Sequence, residues 1–398
     1  MVPTALRQAD AEVLCAPTPR GALAALNDAR DETLALVAHL DDEQLATAHS
    51  PIMSPLAWDL AHIAAYEDLW ISHKHAGMAL LRPDLAEIYD AFETPRSARG
   101  EIELLDPDQA RRYMADVRQR TADALARVGA GDGTICEMVV RHELQHSETM
   151  RQTMALAGLL PQDEPPLRPV MGRDTHAGTS EWIEVPAGPF ELGAEPDGFS
   201  YDNERPRHTV ELGAFQIAGR PVTNGSWMRF VEGGGYERHE WWSDEGWAWK
   251  EQYDITHEGN VAAGDPDAPV CHVSWFEADA FARASGARLP SEAEWERAAG
   301  ANWGAARQQQ GKDGTGRGVL DGVGIVWEWT SSRFGPYPGF EAHPYREYSE
   351  VFFGGEYRVL RGGSWATSPR VKTLTFRNWD LPIRRQIFAG VRLARDVS

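Results

Sequence analysis

The sequence predicts a multidomain protein of the α and α+β classes: a helical bundle followed by an irregular α+β domain. Residues about 20 to 160 are rich in Ala, Leu, Arg, Asp and Glu, with apolar residues at helical spacing. From Glu181 onward, glycine and tryptophan become frequent and the apolar runs are short. With 398 residues and 42% hydrophobic content, the chain can bury a core in each part. We therefore assign residues 1–160 to the bundle, 161–180 to a linker and 181–398 to the second domain.

Four or so long helices account for the periodicity of the bundle. One of them begins in the phrase SPLAWDLAH, where Ser54 is the expected N-cap and Pro55 the first helical residue. Trp58, His62 and Tyr66 then follow one another on a single apolar stripe. The stripe predicts that His62 points into the core of the bundle.

A second helix carries two further histidines on its inner stripe, in VVRHELQHSETM. Residues four apart stand one turn apart on the same face, so His142 and His146 can chelate one ion from a regular helix. A single buried histidine is more often a hydrogen-bonded core residue, and a pair alone leaves ligand and structural roles open. Three inward histidines, with His62 as the third, favour one divalent metal.

The second half reads as short strands joined by irregular segments. WIEVPAGPFELG, HTVELGAFQIA and YRVLRGG predict strands, and helical signals occur only around Ser274 to Ala284 and Glu292 to Ala299. The preceding run LLPQDEPPLRPVMGRDTHAGTS has the composition of a linker.

Charge and cysteine content limit the function classes. A formal net charge of −21 argues against nucleic acid or an anionic membrane surface as a partner, because either needs a basic face. Cys15, Cys136 and Cys271 are too few and too scattered for a disulfide framework. The sequence shows no signal peptide or transmembrane run, so we expect a cytoplasmic protein.

Longer phrases in both halves resemble known families. DNERPRHTVELGAFQIAGRPVTNGSWMRFV, PVCHVSWFEADAFARASGARLPSEAEWERAA, VWEWTSS and VLRGGSW resemble the formylglycine-generating-enzyme/sulfatase-modifying domain, whose fold is related to C-type lectins. The first half resembles a DinB-like four-helix bundle with a histidine triad. Together with PYPGF, PYREYSEVFFG and FRNWDLPIRRQIFAGVRLARD, the chain resembles the ergothioneine-biosynthesis sulfoxide synthases, the EgtB family, over nearly its whole length.

This resemblance implies a reaction and a cofactor. In that family, a non-haem iron(II) held by three histidines joins the sulfur of γ-glutamylcysteine to C2 of the hercynine imidazole, using O2 and leaving a sulfoxide. The implied metal ligands here are His62, His142 and His146. Iron suits this chemistry because it activates oxygen, whereas zinc has no redox chemistry to offer.

The aligned phrases also imply substrate contacts. A first group is implied to bind γ-glutamylcysteine: the Arg96 and Arg99 guanidinium groups for its carboxylates and Asp380 for its α-amino group. The hercynine side is implied to be formed by Asn378, Trp379 and Gln145, with Tyr348 hydrogen-bonding the substrate. Tyr345 is implied to be the catalytic proton donor, with Tyr337 as the alternative.

The sequence departs from the family pattern in one segment, and other functions must be weighed against the implied one. The segment ANWGAARQQQGKDGTGRGVLDGVGI is shorter than usual, which argues against a calcium site that relatives often hold nearby. A formylglycine-generating oxidase is excluded, because Arg361 to Arg395 contains no cysteine for its copper-binding pair. The open alternatives are a relative that uses cysteine or a selenosugar as donor, and a DinB-type metal-dependent thiol transferase.

Overall fold

The computed structural model describes residues 18–161, 181–257, 265–300, 320 and 323–397. The chain forms two compact units, Met1–Glu164 with Ser368–Val371, and Pro165–Thr367 with Lys372–Ser398. The first unit is helical and the second combines helices with small sheets, as the change in composition predicts. The predicted linker lies outside the described residues, except for Pro161.

The first unit is a helical bundle with well-capped ends. Thr18 accepts a hydrogen bond from the Gly21 N–H, and Asp106 begins its helix with a capping box that includes Gln109. Leu60 and Met150 are among the fully buried side chains of its core. The elements are α1 (Pro19–Val37), α2 (Asp42–Ala46), α3 (Leu56–Glu67), a π-helix that continues α3 (Asp68–His75), α4 (Pro107–Val128) and α5 (Thr134–Ala157).

The start of α3 differs from the prediction. The capping residue is Pro55, which offers no side-chain hydrogen bond, and Ser54 is not the N-cap. The Ser54 hydroxyl instead accepts a hydrogen bond of 2.8 Å from Arg99 Nη1. A buried guanidinium requires hydrogen-bond acceptors, and Ser54 supplies one of them here.

Buried ion pairs connect the helices of this bundle. Arg30 on α1 donates to Glu143 on α5 at 2.7 Å and to Glu67 at the end of α3 at 2.8 Å. Arg118 on α4 donates to the same Glu67 at 2.8 Å. Both glutamates are fully buried, so the two arginines are their required counter-charges. The cluster fixes α3 and α5 relative to each other, next to the histidines that these helices carry.

The second unit contains more helix than predicted. The two predicted helices exist as α8 and α9, and Ser274 caps α8 with a capping box. The sequence analysis missed α6 and α7, which begin after the N-caps Thr223 and Ser243. Both helices are only two to three turns long and rich in aromatic residues, so neither shows the extended apolar stripe that predicts a helix from sequence. The helices are α6 (Asn224–Glu232), α7 (Asp244–Gln252), α8 (Trp275–Ala284) and α9 (Glu292–Gly300).

Small sheets connect distant parts of the second unit. One sheet has the order β1-β4-β9 and another the order β2-β3, both antiparallel. A third has the order β7-β6-β5-β8, with β8 parallel to β5. The strands are β1 (Trp182–Val185), β2 (Gly188–Leu192), β3 (His208–Leu212), β4 (Phe215–Ala218), β5 (Trp327–Arg333), β6 (Arg358–Arg361), β7 (Asn378–Asp380), β8 (Ala389–Gly390) and β9 (Ala394–Asp396).

Candidate metal centre and active site

Three imidazoles meet between α3 and α5. One nitrogen each from His62, His142 and His146 lies within 4.8 Å of the others. The Nε2 atoms of His62 and His142 are 3.2 Å apart, and the ring centroids lie 4.5 to 5.0 Å from one another. Within the described ranges, this is the only group of three or more His, Cys, Asp or Glu side chains placed to hold an ion.

The outer nitrogens of the rings have different partners. His62 Nδ1 donates to the Tyr89 carbonyl at 2.7 Å, and His146 Nδ1 donates to Asp59 Oδ1 at 3.0 Å. His142 Nδ1 is buried without a hydrogen-bond partner in the described part of the chain, and this ring stacks on Tyr66 at 3.6 Å. Because both acceptors require an N–H donor, the proton of each ring lies on Nδ1. His62 and His146 therefore each present an Nε2 lone pair to the centre.

Electrostatics favour neutral imidazoles at this centre. Burial, with His146 close by, holds the pKa of His62 well below its usual range. Burial, with both other rings nearby, does the same to the pKa of His142. Neutral imidazole is the form that binds metal, so the donor set fits a divalent transition metal.

The two predicted carboxylate-binding arginines differ in exposure. Arg96 is exposed at the start of the 3₁₀ turn Arg96–Ala98, whereas Arg99 is 4% exposed. Arg99 lies over the Trp58 ring at 3.5 Å, and Trp58 stacks on His62 with a centroid distance of 4.6 Å. The Arg99 guanidinium is therefore two side chains away from the metal centre.

Arg99 is a buried cation without a salt bridge among the described residues, although the nearby Asp59 carboxylate favours its charged form. Its guanidinium donates to the Ser54 hydroxyl and to the carbonyls of Thr94 and Ala91, which are all neutral. Among the described residues, no carboxylate oxygen lies within ion-pair distance of it. Burial lowers the pKa of Arg99 to about 10. A buried cation in this environment is suited to receive an anion.

The predicted tyrosines belong to the second unit. Tyr345 precedes the 3₁₀ turn Arg346–Tyr348, and its ring centroid lies 6.2 Å from that of Tyr348. Tyr348 stacks on Tyr201 at 4.2 Å. Burial, with the two neighbouring phenols, raises the pKa of Tyr348 well above its usual range, so it remains a protonated hydrogen-bond donor at neutral pH. The alternative, Tyr337, is 5% exposed and contacts Glu292.

A short turn holds the segment that carries these tyrosines. Asp202 accepts hydrogen bonds from the Ser349 hydroxyl and from the His343 N–H, which flank Tyr345 and Tyr348 on either side. The neighbouring Asn203 side chain also donates to Ser349, at 2.9 Å. This anchoring was not predicted, because a carboxylate some 140 residues earlier in the chain gives no local signal.

The remaining predicted substrate contacts lie on α5 and on β7. Gln145 is half-buried on α5, next to His146. Asn378 and Asp380 point to one face of β7 and Trp379 to the other, as strand geometry requires. Phe334 stacks on the Trp379 ring at 4.1 Å, and the Tyr348 and Phe352 rings lie 5.7 and 5.5 Å from it, so Trp379 is part of an aromatic cluster. Asp380 Oδ1 accepts the Leu381 N–H at 2.8 Å and lies 3.6 Å from Arg384 Nε.

Asp59 is the site residue that the sequence analysis missed. It lies three residues before His62, in SPLAWDLAH, so helical geometry puts both on one face of α3. A carboxylate on the inner face of a helix next to a candidate ligand is a usable signal, because a buried charge requires a partner.

Comparison with known proteins agrees with the division of the chain. The DinB superfamily matches residues 25–150, and the sulfatase-modifying factor enzyme 1-like domain matches residues 168–317 and 312–397. A hercynine oxygenase from Mycolicibacterium thermoresistibile is 43% identical, over 94% of this chain and 94% of that protein. The chain belongs to the hercynine oxygenase family. Another hercynine oxygenase, from Mycobacterium tuberculosis, is 42% identical over 93% of this chain and 97% of its own.

A more distant relative extends the comparison. The ergothioneine biosynthesis protein 1 of Schizosaccharomyces pombe is 22% identical, over 90% of this chain and 54% of its own. Membership of the hercynine oxygenase family confirms the predicted fold, the family assignment and the prediction of an oxygenase. It also implies a metal-dependent enzyme with small-molecule substrates.

The calcium prediction falls largely on residues 301–319, 321 and 322, which lie outside the described residues. None of the helices in the described ranges combines the length and the apolar character needed to cross a bilayer.

Proposed function

We propose that this protein is a hercynine oxygenase that uses iron(II) and O2 to join the sulfur of γ-glutamylcysteine to C2 of the hercynine imidazole, leaving a sulfoxide. The observation that carries the proposal is the convergence of His62, His142 and His146 in a chain 43% identical, over 94% of its length, to a hercynine oxygenase. Two buried free thiols, Cys136 and Cys271, fit the cytoplasmic location that we propose.

The three histidines would hold the iron through their inner nitrogens. Iron(II) would supply the activation of dioxygen, which zinc in the same ligand set cannot do. The protein holds these ligands rigidly. Trp58 packs against His62, and Tyr66 packs against His142. The Tyr89 carbonyl orients the N–H group of His62, and the Asp59 carboxylate orients that of His146. Three protein ligands would leave other coordination positions for the substrates, so much of catalysis would be positioning.

Arg99 and Arg96 are our candidates for the carboxylates of γ-glutamylcysteine. Support for Arg99 comes from its burial with only neutral hydrogen-bond acceptors and from its contact with Trp58, which places a cation near the metal centre. Arg96 is on the same turn and accessible to a second carboxylate. We propose that Asp380 receives the α-amino group of the same substrate.

For hercynine, we propose that Gln145 hydrogen-bonds an imidazole nitrogen while Asn378 and Trp379 bind the trimethylammonium end. The aromatic cluster of Trp379, Phe334, Tyr348 and Phe352 supports this assignment, because aromatic rings attract a quaternary ammonium group. Tyr348, kept protonated by burial, would donate a hydrogen bond to the substrate, and Tyr345 would deliver the proton. Tyr337 is the less suitable donor, because it is buried against Glu292 and Arg377.

The test is mass spectrometry of the products after protein loaded anaerobically with iron(II) receives hercynine, γ-glutamylcysteine and then O2. We expect the sulfoxide conjugate from the wild type and none from His142→Gln. His73→Gln is the matched control, because His73 is exposed and bonds only the Met78 carbonyl.

Parallel reactions separate the alternatives. Faster conjugation with cysteine or a selenosugar in place of γ-glutamylcysteine would overturn the donor assignment. Metal-dependent thiol transfer without O2 consumption would instead support a DinB-type transferase and contradict the proposed reaction.

A further inference from the structure

The carboxylate of Asp59 is buried against a candidate metal ligand. It is 1% exposed, and Oδ1 accepts the hydrogen bond from His146 Nδ1 at 3.0 Å. Oδ2 is buried and has no hydrogen-bond partner among the described residues. The Arg99 guanidinium interacts electrostatically with this carboxylate but does not hydrogen-bond to it. A buried carboxylate with one hydrogen bond is uncommon, so its contact with His146 calls for a functional explanation.

A carboxylate can only accept hydrogen bonds, and this fixes the state of the ring that it contacts. Because Asp59 Oδ1 accepts this hydrogen bond, His146 carries a proton on Nδ1, and Nε2 is the nitrogen left to face the other imidazoles and a metal. The Tyr89 carbonyl imposes the same tautomer on His62. His142 has no such acceptor in the described structure and is oriented by stacking on Tyr66.

One helix therefore orients all three rings. Trp58, Asp59, His62 and Tyr66 lie within about 100° of one another around α3. His62 is itself a candidate ligand. Trp58 packs against His62, Tyr66 packs against His142, and Asp59 accepts the hydrogen bond from His146.

We propose that Asp59 is a positioning residue that sets the tautomer and the orientation of His146 for metal binding. The inference rests on the three-histidine metal site of the proposed function but not on the identity of the reaction or of its substrates. Oriented ligands of this kind typically raise metal affinity about 10- to 100-fold.

The Asp59→Asn variant makes the inference specific. An asparagine can face His146 with its oxygen or with its NH2 group. If the oxygen faces His146, the NH2 group takes the place of Oδ2, where its two N–H donors have no partner. If the NH2 group faces His146, the carbonyl oxygen takes that place. Orphaned donors are rarer than orphaned carbonyls in folded proteins, so the second orientation is favoured. The NH2 group then donates to His146 Nδ1, which places the ring proton on Nε2 and blocks metal binding.

Two measurements on the full-length protein test this. The first is the 15N spectrum of metal-free protein labelled at histidine, with His146 assigned by its loss in His146→Gln. We expect the Nδ1–H tautomer in the wild type and the Nε2–H tautomer in Asp59→Asn. The second is anaerobic titration with iron(II) against a chromophoric chelator, in which Asp59→Asn should bind about 10- to 100-fold more weakly.

Asp68→Asn is the matched control. Asp68 is equally buried and directly follows α3, but it bonds Arg120 and the Leu81 N–H rather than a histidine. We expect this control to lower the melting temperature while leaving iron affinity and the His146 tautomer unchanged. Asp59→Asn should instead change the iron affinity and the His146 tautomer while leaving the melting temperature largely unchanged.

The outcomes separate the inference from the proposed function. If the wild type does not bind iron(II) with measurable affinity, both the metal site and the role of Asp59 fail. If the wild type binds iron(II) but Asp59→Asn keeps the same tautomer or the same affinity, the metal site stands and only the role of Asp59 is overturned.

Discussion

Arg99 is the residue whose surroundings point most directly to a substrate. Its guanidinium is buried, its three hydrogen-bond acceptors are neutral, and it rests on Trp58, which packs against His62. A cation buried in this way costs free energy in the unliganded protein. Binding an anion would recover part of that cost, and this couples substrate binding to a group next to the metal centre.

We expect Arg99→Lys to raise KM for γ-glutamylcysteine about 10- to 100-fold, because lysine keeps the charge but loses the forked donors, and hydrogen bonds to charged groups contribute about 1.5 to 3 kcal/mol. KM for hercynine should change much less. Steady-state kinetics with each substrate varied in turn would measure both constants. Arg82→Lys is the control, since Arg82 is exposed and pairs only with Asp84. Equal increases in the two KM values would contradict the assignment.

The predictability of the site differs from residue to residue. His142 and His146 stood out because, with His62, they put three histidines on the inner stripes of two helices, and their nitrogens do converge with that of His62. Asp59 did not stand out, because only the crossing of α3 and α5 brings it within 3.0 Å of His146. The Tyr201 ring, stacked on Tyr348, is a contact across the chain that local sequence cannot encode.

Among the elements, the four long helices of the bundle depend on one buried charge cluster. Arg30 on α1 connects Glu67 at the end of α3 with Glu143 on α5, and Arg118 on α4 completes the set. Apolar periodicity predicts that these helices pack, but it does not identify the polar residues inside. Short elements were harder still, since α6 and α7 are too short to develop a stripe.

We expect Arg30→Met to lower the free energy of unfolding of the helical unit by about 3 to 5 kcal/mol, because it leaves two buried carboxylates without their shared counter-charge. Urea unfolding followed by circular dichroism would measure the loss. The control is Arg111→Met on α4, which removes a solvent-exposed pair with Asp108 and should cost at most about 1 kcal/mol. Similar losses in the two variants would show that the buried cluster does not stabilise the bundle.

At the level of the whole molecule, the charge distribution is strongly uneven. The net charge is −21, yet arginines such as Arg392, Arg377 and Arg30 are buried with glutamates. These internal pairs remove positive and negative charge from the surface together, and among the described residues the buried carboxylates outnumber the buried guanidinium groups. The accessible surface is therefore acidic because of the excess of Asp and Glu in the composition, not because arginines are buried. Composition predicted the fold class, a helical part followed by an α+β part, but only the structure locates the paired charges.

Stability should depend on pH through the half-buried His272, which has a positive φ of 61° and a pKa lowered by desolvation of its ring. The unfolded chain binds a proton at this histidine below about pH 6.5, whereas the folded chain resists it. Folding stability is therefore present above that pH and declines as the pH falls, by up to about 1.4 kcal/mol per pH unit for one group.

His272→Asn should remove this dependence, since asparagine tolerates a positive φ and does not titrate. The measurement is the difference in unfolding free energy between the variant and the wild type from pH 8 to about pH 5. The difference should favour the variant increasingly as the pH falls. A difference that stays constant over this range would rule out His272 as the source.

The packing of α3 also has a consequence for how fast metal can exchange. Trp58 donates from its indole nitrogen to the Ile88 carbonyl, and His62 donates to the adjacent Tyr89 carbonyl, so the Ile88–Tyr89 segment is bonded to the helix beside the ligands. A ligand that must break these bonds before it can turn away from the ion leaves slowly. Metal once bound should therefore dissociate slowly, and the protein in a cell would keep the first suitable ion it captured during folding rather than equilibrate with the surrounding pool.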